Sequence, residues 1–227
     1  KKGPIFSNLI LADEINRSPA KVQSALLESM QEKQVTIGEE SFKLELPFLV
    51  LATQNPIDQE GTYPLPEAQR DRFMMKLNIS YPSKEEELKI MQRMSDLNFK
   101  NTVKTVLSKK DINSVQGEIN SVSISESIQK YIIELVNATR DPSSVGLDDL
   151  SNYISFGASP RASINLSLAS KANAFLSNRD YVMPDDIKEI ANDVLNHRII
   201  LNYEAEAEGI RPDSIIRKIL EKVEINS

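Results

Sequence analysis

Two short, uninterrupted apolar runs mark the first quarter of the chain: Leu9-Ile10-Leu11-Ala12, and "FLVLA" at residues 48–52. Each is too short for a helix and gives way at once to polar residues, the pattern of a buried strand. Between them, Val22, Ala25, Leu26, Ser29 and Met30 recur at the spacing of one helix face, with Ser18 placed to cap and Pro19 at the first helical position. The segment "QVTIGEESFKLEL" then alternates on both sides of Gly38, with Val35 and Ile37 followed by Phe42, Leu44 and Leu46, which predicts a hairpin near 34–46. Two buried strands separated by a helix and a hairpin fit an α/β sheet better than an all-α or all-β plan.

Beyond "ISYP" at 79–82 the pattern turns helical. Ser83 and Glu86 form a capping box ahead of Leu88, Ile90 and Met91. Residues 100–125 are polar and weakly periodic, with one short helix expected after Ser108. Ile128, Tyr131, Ile132, Leu135 and Val136 trace a clear amphipathic helix that ends near Arg140-Asp141-Pro142. Pro160, Pro184 and Pro212 each stand where a first helical residue belongs. After Pro184, Asp185 and Asp186 complement the helix dipole, and Ile187, Ile190, Ala191, Val194 and Leu195 face one way. The division expected is an α/β part over 1–82 and an all-α lid over 83–227.

Composition narrows the classes. A length of 227 residues is ample for a core, and 40% hydrophobic with 26% charged residues is ordinary for a globular protein. With no cysteine, disulfides and thiolate metal sites are out, and the single His197 excludes a histidine-rich metal site. A net charge of −6 and no basic stripe speak against nucleic acid as a partner. No apolar run is long enough to span a membrane and no signal peptide is evident, so a cytoplasmic location is expected.

The first apolar run ends in adjacent carboxylates, Asp13 and Glu14, with Arg17 three residues on, and the second ends in "TQNP" with Asn55 before Pro56. Ligands of open α/β sheets bind beyond the carboxyl ends of the strands. If the two strands are parallel neighbours, Asp13, Glu14 and Asn55 converge on one crevice. A single Asp at a strand end is usually only a turn residue, but a second acid beside it costs repulsion unless a cation or proton relieves it. Nucleotide hydrolysis wants this arrangement. An apolar strand ending in Asp-Glu is the Walker B pattern, in which Asp13 would hold Mg²⁺ through its coordination shell and Glu14 would polarise the attacking water. Asn55 would orient that water or touch the γ-phosphate.

The stretches "GPIFSNLILADEINRSPAKVQSALLESMQE", "VLATQNPIDQEGTYPLPEAQRDRF" and "GASPRAS" resemble the MoxR family of AAA+ ATPases. The resemblance implies the second half of an AAA+ core (a parallel sheet with flanking helices and a hairpin insertion) followed by a helical lid. It implies that Asp13 and Glu14 are the Walker B pair, that Asn55 is sensor 1 and that the hairpin is the pre-sensor-1 insertion. It makes Arg72 of "DRF" the arginine finger acting on a neighbouring subunit's nucleotide, and Arg161 the sensor-2 arginine. Guanidinium suits a finger because it stays charged and offers several donors; an intrachain pair of Arg72 with Asp71 or Glu67 is the competing reading. Position 70, apolar as a rule in the family, is Arg70 here, a second candidate finger. Arg161 falls in a helix's first turn, where the dipole disfavours a cation but favours an anion. That placement makes sense if phosphate arrives there; the alternative is an exposed Arg lying over apolar surface.

The chain contains no G-x-x-x-x-G-K-[ST] phosphate-binding loop, and Lys1 and Lys2 alone precede the first motif. The expectation is therefore an upstream segment in the intact protein, with this chain inactive alone. By resemblance the protein binds ATP and Mg²⁺ and forms a homo-oligomeric ring, most simply a hexamer. It would act as a chaperone on a client protein together with a von Willebrand A-domain partner, in assembly or cofactor insertion. The alternatives are a non-catalytic AAA+-like scaffold and a magnesium-chelatase-like subunit.

Overall fold

The computed structural model describes residues 3–55, 61–96 and 102–225. Lys1, Lys2 and Pro56, used in the sequence reading, lie outside them. The α/β part begins with strand β1 (Leu9–Ala12), helix α1 (Ala20–Glu32), the antiparallel hairpin β2 (Gln34–Ile37) and β3 (Glu40–Lys43), and strand β4 (Leu49–Ala52). The two expected strands are parallel neighbours, in register from Leu9 opposite Leu49 to Ala12 opposite Ala52. A two-residue turn joins the hairpin strands, with Gly38 at its first position and φ of +67°, a conformation that suits glycine.

Three expectations for this part need correcting. Among the described residues the strands are covered on one face: Val50 is buried, with Ile10, Ala12 and Ala52 packed nearby, against α1 and the hairpin. Leu9, Leu11, Leu49 and Leu51 point to the other face and are exposed. On α1 the inward face is Gln23, Leu26, Leu27 and Ser29, whereas Val22 and Ala25 are exposed. The stripe is rotated because Gln23 reaches inward, donating from Nε2 to the carbonyls of Ile15 at 3.1 Å and Tyr63 at 2.9 Å. Ser18 makes no side-chain cap, and the helix starts after Pro19.

A short helix α2 (Glu67–Arg70) follows, then α3 (Lys84–Met94), which carries the Ser83–Glu86 capping box. Among the described residues helix α3 buries nothing and joins neither hydrophobic cluster; its Leu88, Ile90 and Met91 are exposed. Helix α4 (Lys109–Ser121) is longer than expected and opens on a second capping box, Ser108 with Asp111.

The lid core is built by α5 (Glu126–Ala138), the short α6 (Asp148–Ser151), strand β5 (Ile154–Phe156), α7 (Pro160–Leu176), α8 (Pro184–Leu195), strand β6 (Ile200–Leu201), α9 (Tyr203–Ala207) and α10 (Pro212–Lys222). All five residues of the α5 stripe are buried, and Ile187, Ala191, Val194 and Leu195 of α8 meet them in one cluster. Complete burial of an aliphatic side chain stabilises by about 1.5–3 kcal/mol, so this cluster dominates the lid's stability. Proline opens α7, α8 and α10 as expected. The expected all-helical lid does contain one short antiparallel pair, β5 with β6, whose strands are too brief to show in a periodicity. Among the described residues no helix is long and apolar enough to cross a membrane.

Candidate functional site

At the carboxyl edge of the β1–β4 pair, Thr53 locks the two strand ends together. Its N–H donates to the Ala12 carbonyl and its own carbonyl accepts from Ile15 N–H, both at 3.0 Å. Its hydroxyl accepts from Glu14 N–H at 2.9 Å and donates to Asp13 Oδ1 at 2.5 Å. Glu14 sits in the left-handed region, with φ of 47° and ψ of 53°. A non-glycine residue there costs of order 1–3 kcal/mol and persists only where the surroundings fix it. The Glu14 carboxylate turns to Arg17, with Oε2 at 3.0 Å from Nε. The two acids are thus relieved by different partners, a hydroxyl and a guanidinium. Asn55 leaves the same edge, its carbonyl facing Asn16 Nδ2 at 3.5 Å. Asp13, Glu14 and Asn55 therefore share one strand edge.

The "DRF" element lies at the junction with the lid, directly after α2. Phe73 packs on the α/β cluster and Met75 on the lid cluster, so the segment between them crosses from one core to the other. The end of α8 and the residues after it grip this crossing. Lys76 N–H donates to the Asp193 carbonyl at 2.8 Å, and Asn196 Nδ2 donates to the Lys76 carbonyl at 3.1 Å. His197 Nε2 donates to the Phe73 carbonyl at 3.1 Å. Burial, with Arg198's charge next, pushes His197 down to about 4, so it is neutral near pH 7. Its place at the end of α8 is the helix-end position expected for it.

Arg198 is the residue the sequence reading missed. Its side chain is wholly buried, and Nε donates to Asp71 Oδ1 at 2.9 Å. Its remaining N–H groups reach the carbonyls of Met74 at 3.2 Å, Asp71 at 3.1 Å, Phe73 at 2.6 Å and Val194. All five donors of the fork are used, which a lysine could not reproduce. The available signal was a cation inside an apolar stretch, "VLNHRIIL", where an ionised group needs a partner.

Asp71 collects the lid's polar groups. Besides Arg198, its Oδ2 accepts from Ser159 Oγ at 2.8 Å and from Arg161 Nη1 at 3.1 Å. Burial opposes ionisation of Asp71, but the hydrogen bonds from Ser159 and Arg161 and the charge of Arg198 outweigh it and hold the carboxyl below its ordinary value. This arrangement corrects two readings. Asp71 does not pair with Arg72; among the described residues neither Arg70 nor Arg72 has a carboxylate partner, and their Nε atoms are buried without a hydrogen bond. Burial, together with the charges of Arg70 and Arg211, lowers Lys76, a sign that cations gather there. Arg161 does not lie idle over apolar surface either: the anion beside it is Asp71, not the strand-edge acids.

The loop before α7 is held closely. A Cβ on Gly157 would lie 2.4 Å from the Thr139 carbonyl oxygen, so only glycine fits against the end of α5. Ala158 N–H donates to Thr139 Oγ1 at 2.9 Å and its carbonyl accepts from Arg140 Nε at 2.7 Å. Ser159 then caps α7, its Oγ accepting from Arg161 N–H at 3.2 Å.

A parallel strand pair with paired acids at its carboxyl edge, a hairpin beside it and a helical lid define an AAA+ core and lid. Residues 1–75 match the profile of the ATPase family associated with various cellular activities (AAA), and residues 149–219 match that of the AAA lid domain. The chain is 48% identical to chaperone MoxR1 of Mycobacterium tuberculosis over 97% of its own length and 58% of that protein's. It is 46% identical to the uncharacterized protein YeaC of Bacillus subtilis over 99% of its own length and 68% of that protein's. A crystal structure of a presumed ATPase from Cytophaga hutchinsonii superposes with a TM-score of 0.96 at 64% identity, covering 100% of this chain and 69% of that one. The chain belongs to the MoxR family of AAA+ ATPases.

Proposed function

We propose that the full-length protein is an ATP-hydrolysing ring subunit with a chaperone-like role, working in the cytoplasm on a client protein. The observation that carries this reading is the parallel register of β1 and β4, which sends Asp13, Glu14 and Asn55 off one strand edge. Asp13 is exposed, one of its oxygens takes the Thr53 hydroxyl, and the other has no protein partner among the described residues. That donor chemistry fits Mg²⁺, which is held by one or two carboxylates while water and phosphate oxygens complete its shell. Bound Mg²⁺ with ATP would neutralise charge on the transferring phosphoryl group. Glu14, fixed by Thr53 and poised against Arg17, would let go of Arg17 to orient water, and Asn55 would hold that water in line. Arg161 would touch phosphate within its own subunit, and Arg72, or Arg70 beside it, would reach a neighbour's site in a hexameric ring. A von Willebrand A-domain partner belongs to the same proposal. The scaffold reading draws on the internal pairs Glu14–Arg17 and Arg161–Asp71, which leave those groups satisfied without nucleotide. Glu14→Gln in the full-length protein separates the two. Nucleotide binding should persist while hydrolysis falls by at least about a hundredfold, the scale for a positioned acid–base group; equal hydrolysis by variant and wild type removes the catalytic reading.

A further inference from the structure

We propose that Asp71 is a positioning residue that stands in for phosphate at the N-terminal end of α7, holding Arg161 until the nucleotide displaces it. The proposal rests on Arg161 as the phosphate-contacting arginine. An Arg in a helix's first turn opposes the dipole, and the helix end attracts an anion. Here the anion is the chain's own. Asp71 Oδ2 lies 3.1 Å from Arg161 Nη1 and 2.8 Å from the Oγ of the capping Ser159.

The two oxygens of Asp71 are held unequally. Oδ1 faces the Arg198 guanidinium, whose side chain is 0% exposed, whereas the Arg161 side chain on Oδ2 is 44% exposed. A cleft of about 170 Å³, lined by Glu67, Asp71, Ser159, His197 and Arg198, opens beside the carboxylate. An exposed pair of this kind holds weakly, and a polyphosphate carries several times the charge of one carboxylate, so Arg161 is the releasable partner. Arg198 keeps Asp71 anchored through the exchange. Because Asp71 lies between Arg70 and Arg72, loss of Arg161, one of three lid side chains on its carboxylate, is felt at the element proposed to serve the neighbouring subunit. A subunit's own nucleotide thereby adjusts the finger it offers next door.

The competition predicts an unusual direction: removing an internal salt bridge should tighten ligand binding. The test measures the affinity of full-length wild type, Asp71→Asn, Arg161→Ala and the double variant for a fluorescent ADP analogue with Mg²⁺. Arg161→Ala should weaken binding about tenfold or more, as for loss of a charged hydrogen bond. Asp71→Asn should tighten it about two- to fivefold, the worth of one exposed pair, and this gain should vanish in the double variant. Should Asp71→Asn fail to fold, Asp71→Asn/Arg198→Gln, which leaves no unpaired charge in the interior and keeps side-chain donors for the crossing, should tighten binding in the same direction relative to Arg198→Gln alone. If Arg161→Ala weakens binding but neutralising Asp71 tightens it in neither background, Asp71 is merely structural and the proposal fails while the sensor reading stands. If Arg161→Ala leaves affinity unchanged, both fall.

Discussion

In the lid, Leu135, Leu166, Ile187 and Ile219 come from four helices and meet with 1% exposure or less. In the α/β part, Leu9, Leu11, Leu49 and Leu51 of the paired strands keep 64%, 67%, 51% and 56% of their surface. Both regions are rich in apolar residues, yet within this chain, which spans 58% of the length of the MoxR1 chaperone, the lid gathers the larger buried cluster. The α/β part packs one face of its two strands and places its chemistry at their carboxyl edge. The two meet at the 71–76 crossing, where Arg198 and its neighbours replace a continuous apolar interface with a set of charge-assisted hydrogen bonds. The junction is therefore polar and specific.

The comparison can be broken most severely at that junction. Arg198→Ala takes a charged donor from Asp71 Oδ1 and from three backbone carbonyls of the crossing, and should cost about 3–5 kcal/mol in thermal or denaturant unfolding. Arg161→Ala, removing the exposed partner of the same carboxylate, should cost about 0–1 kcal/mol. Similar losses for the two would mean the burial difference has no energetic meaning. Gly157→Ala comes next. Its Cβ has only backbone to press against, so about 3 kcal/mol should be lost through overpacking of the loop on α5, with the α/β strands unaffected by hydrogen exchange.

Acid should act through His197. Its folded-state pKa is depressed from 6.5 to about 4, so the unfolded chain takes up a proton that the folded one refuses. Stability should fall as pH drops from about 6.5 towards 4, by up to about 3 kcal/mol, the free energy equivalent of that shift. The charged groups influencing the ring are Arg198, Lys76 and Asp71, and Asp71, held below its ordinary value, contributes its own loss only below about pH 4. His197→Gln, which can still donate to the Phe73 carbonyl, should flatten that limb; an unchanged slope would assign it elsewhere. The smallest effect tests the corrected face of α1: Val22→Ala should stay within about 0.5 kcal/mol, whereas Leu27→Ala should cost about 2–5 kcal/mol.

The lid helices were legible because the signals that set them are local. Ser83 and Ser159 cap, Pro160, Pro184 and Pro212 open helices, and the α5 and α8 stripes bury the residues that their spacing marks, except Ile190, which is only partly buried. The parallel strands were legible as apolar runs, but a run alone cannot tell a strand covered on both faces from one covered on a single face. The α1 stripe was misread because a polar residue, Gln23, takes the inward position through carbonyls that fold back from elsewhere. Of the candidate site, the strand-edge residues were visible and their common edge is observed. The clamp was not visible, since Asp71 and Arg198 are separated by 127 positions and no spacing rule links them.

The central claim is that the strand-edge acids and the arginine of the crossing complete one hydrolytic site from two subunits. If Arg72 is the finger and Glu14 the catalytic acid, full-length Arg72→Ala and Glu14→Gln should each hydrolyse ATP at a small fraction of the wild-type rate, the finger alone being worth on the order of 10³-fold. The measurement is the ATPase rate as these two proteins are mixed in varied ratio, with ring assembly followed by sedimentation. The account predicts partial recovery that peaks at intermediate ratios, because an intact Glu14 then faces an intact Arg72 at some interfaces. No recovery at any ratio in rings that do assemble, or normal hydrolysis by Arg72→Ala alone, would contradict it.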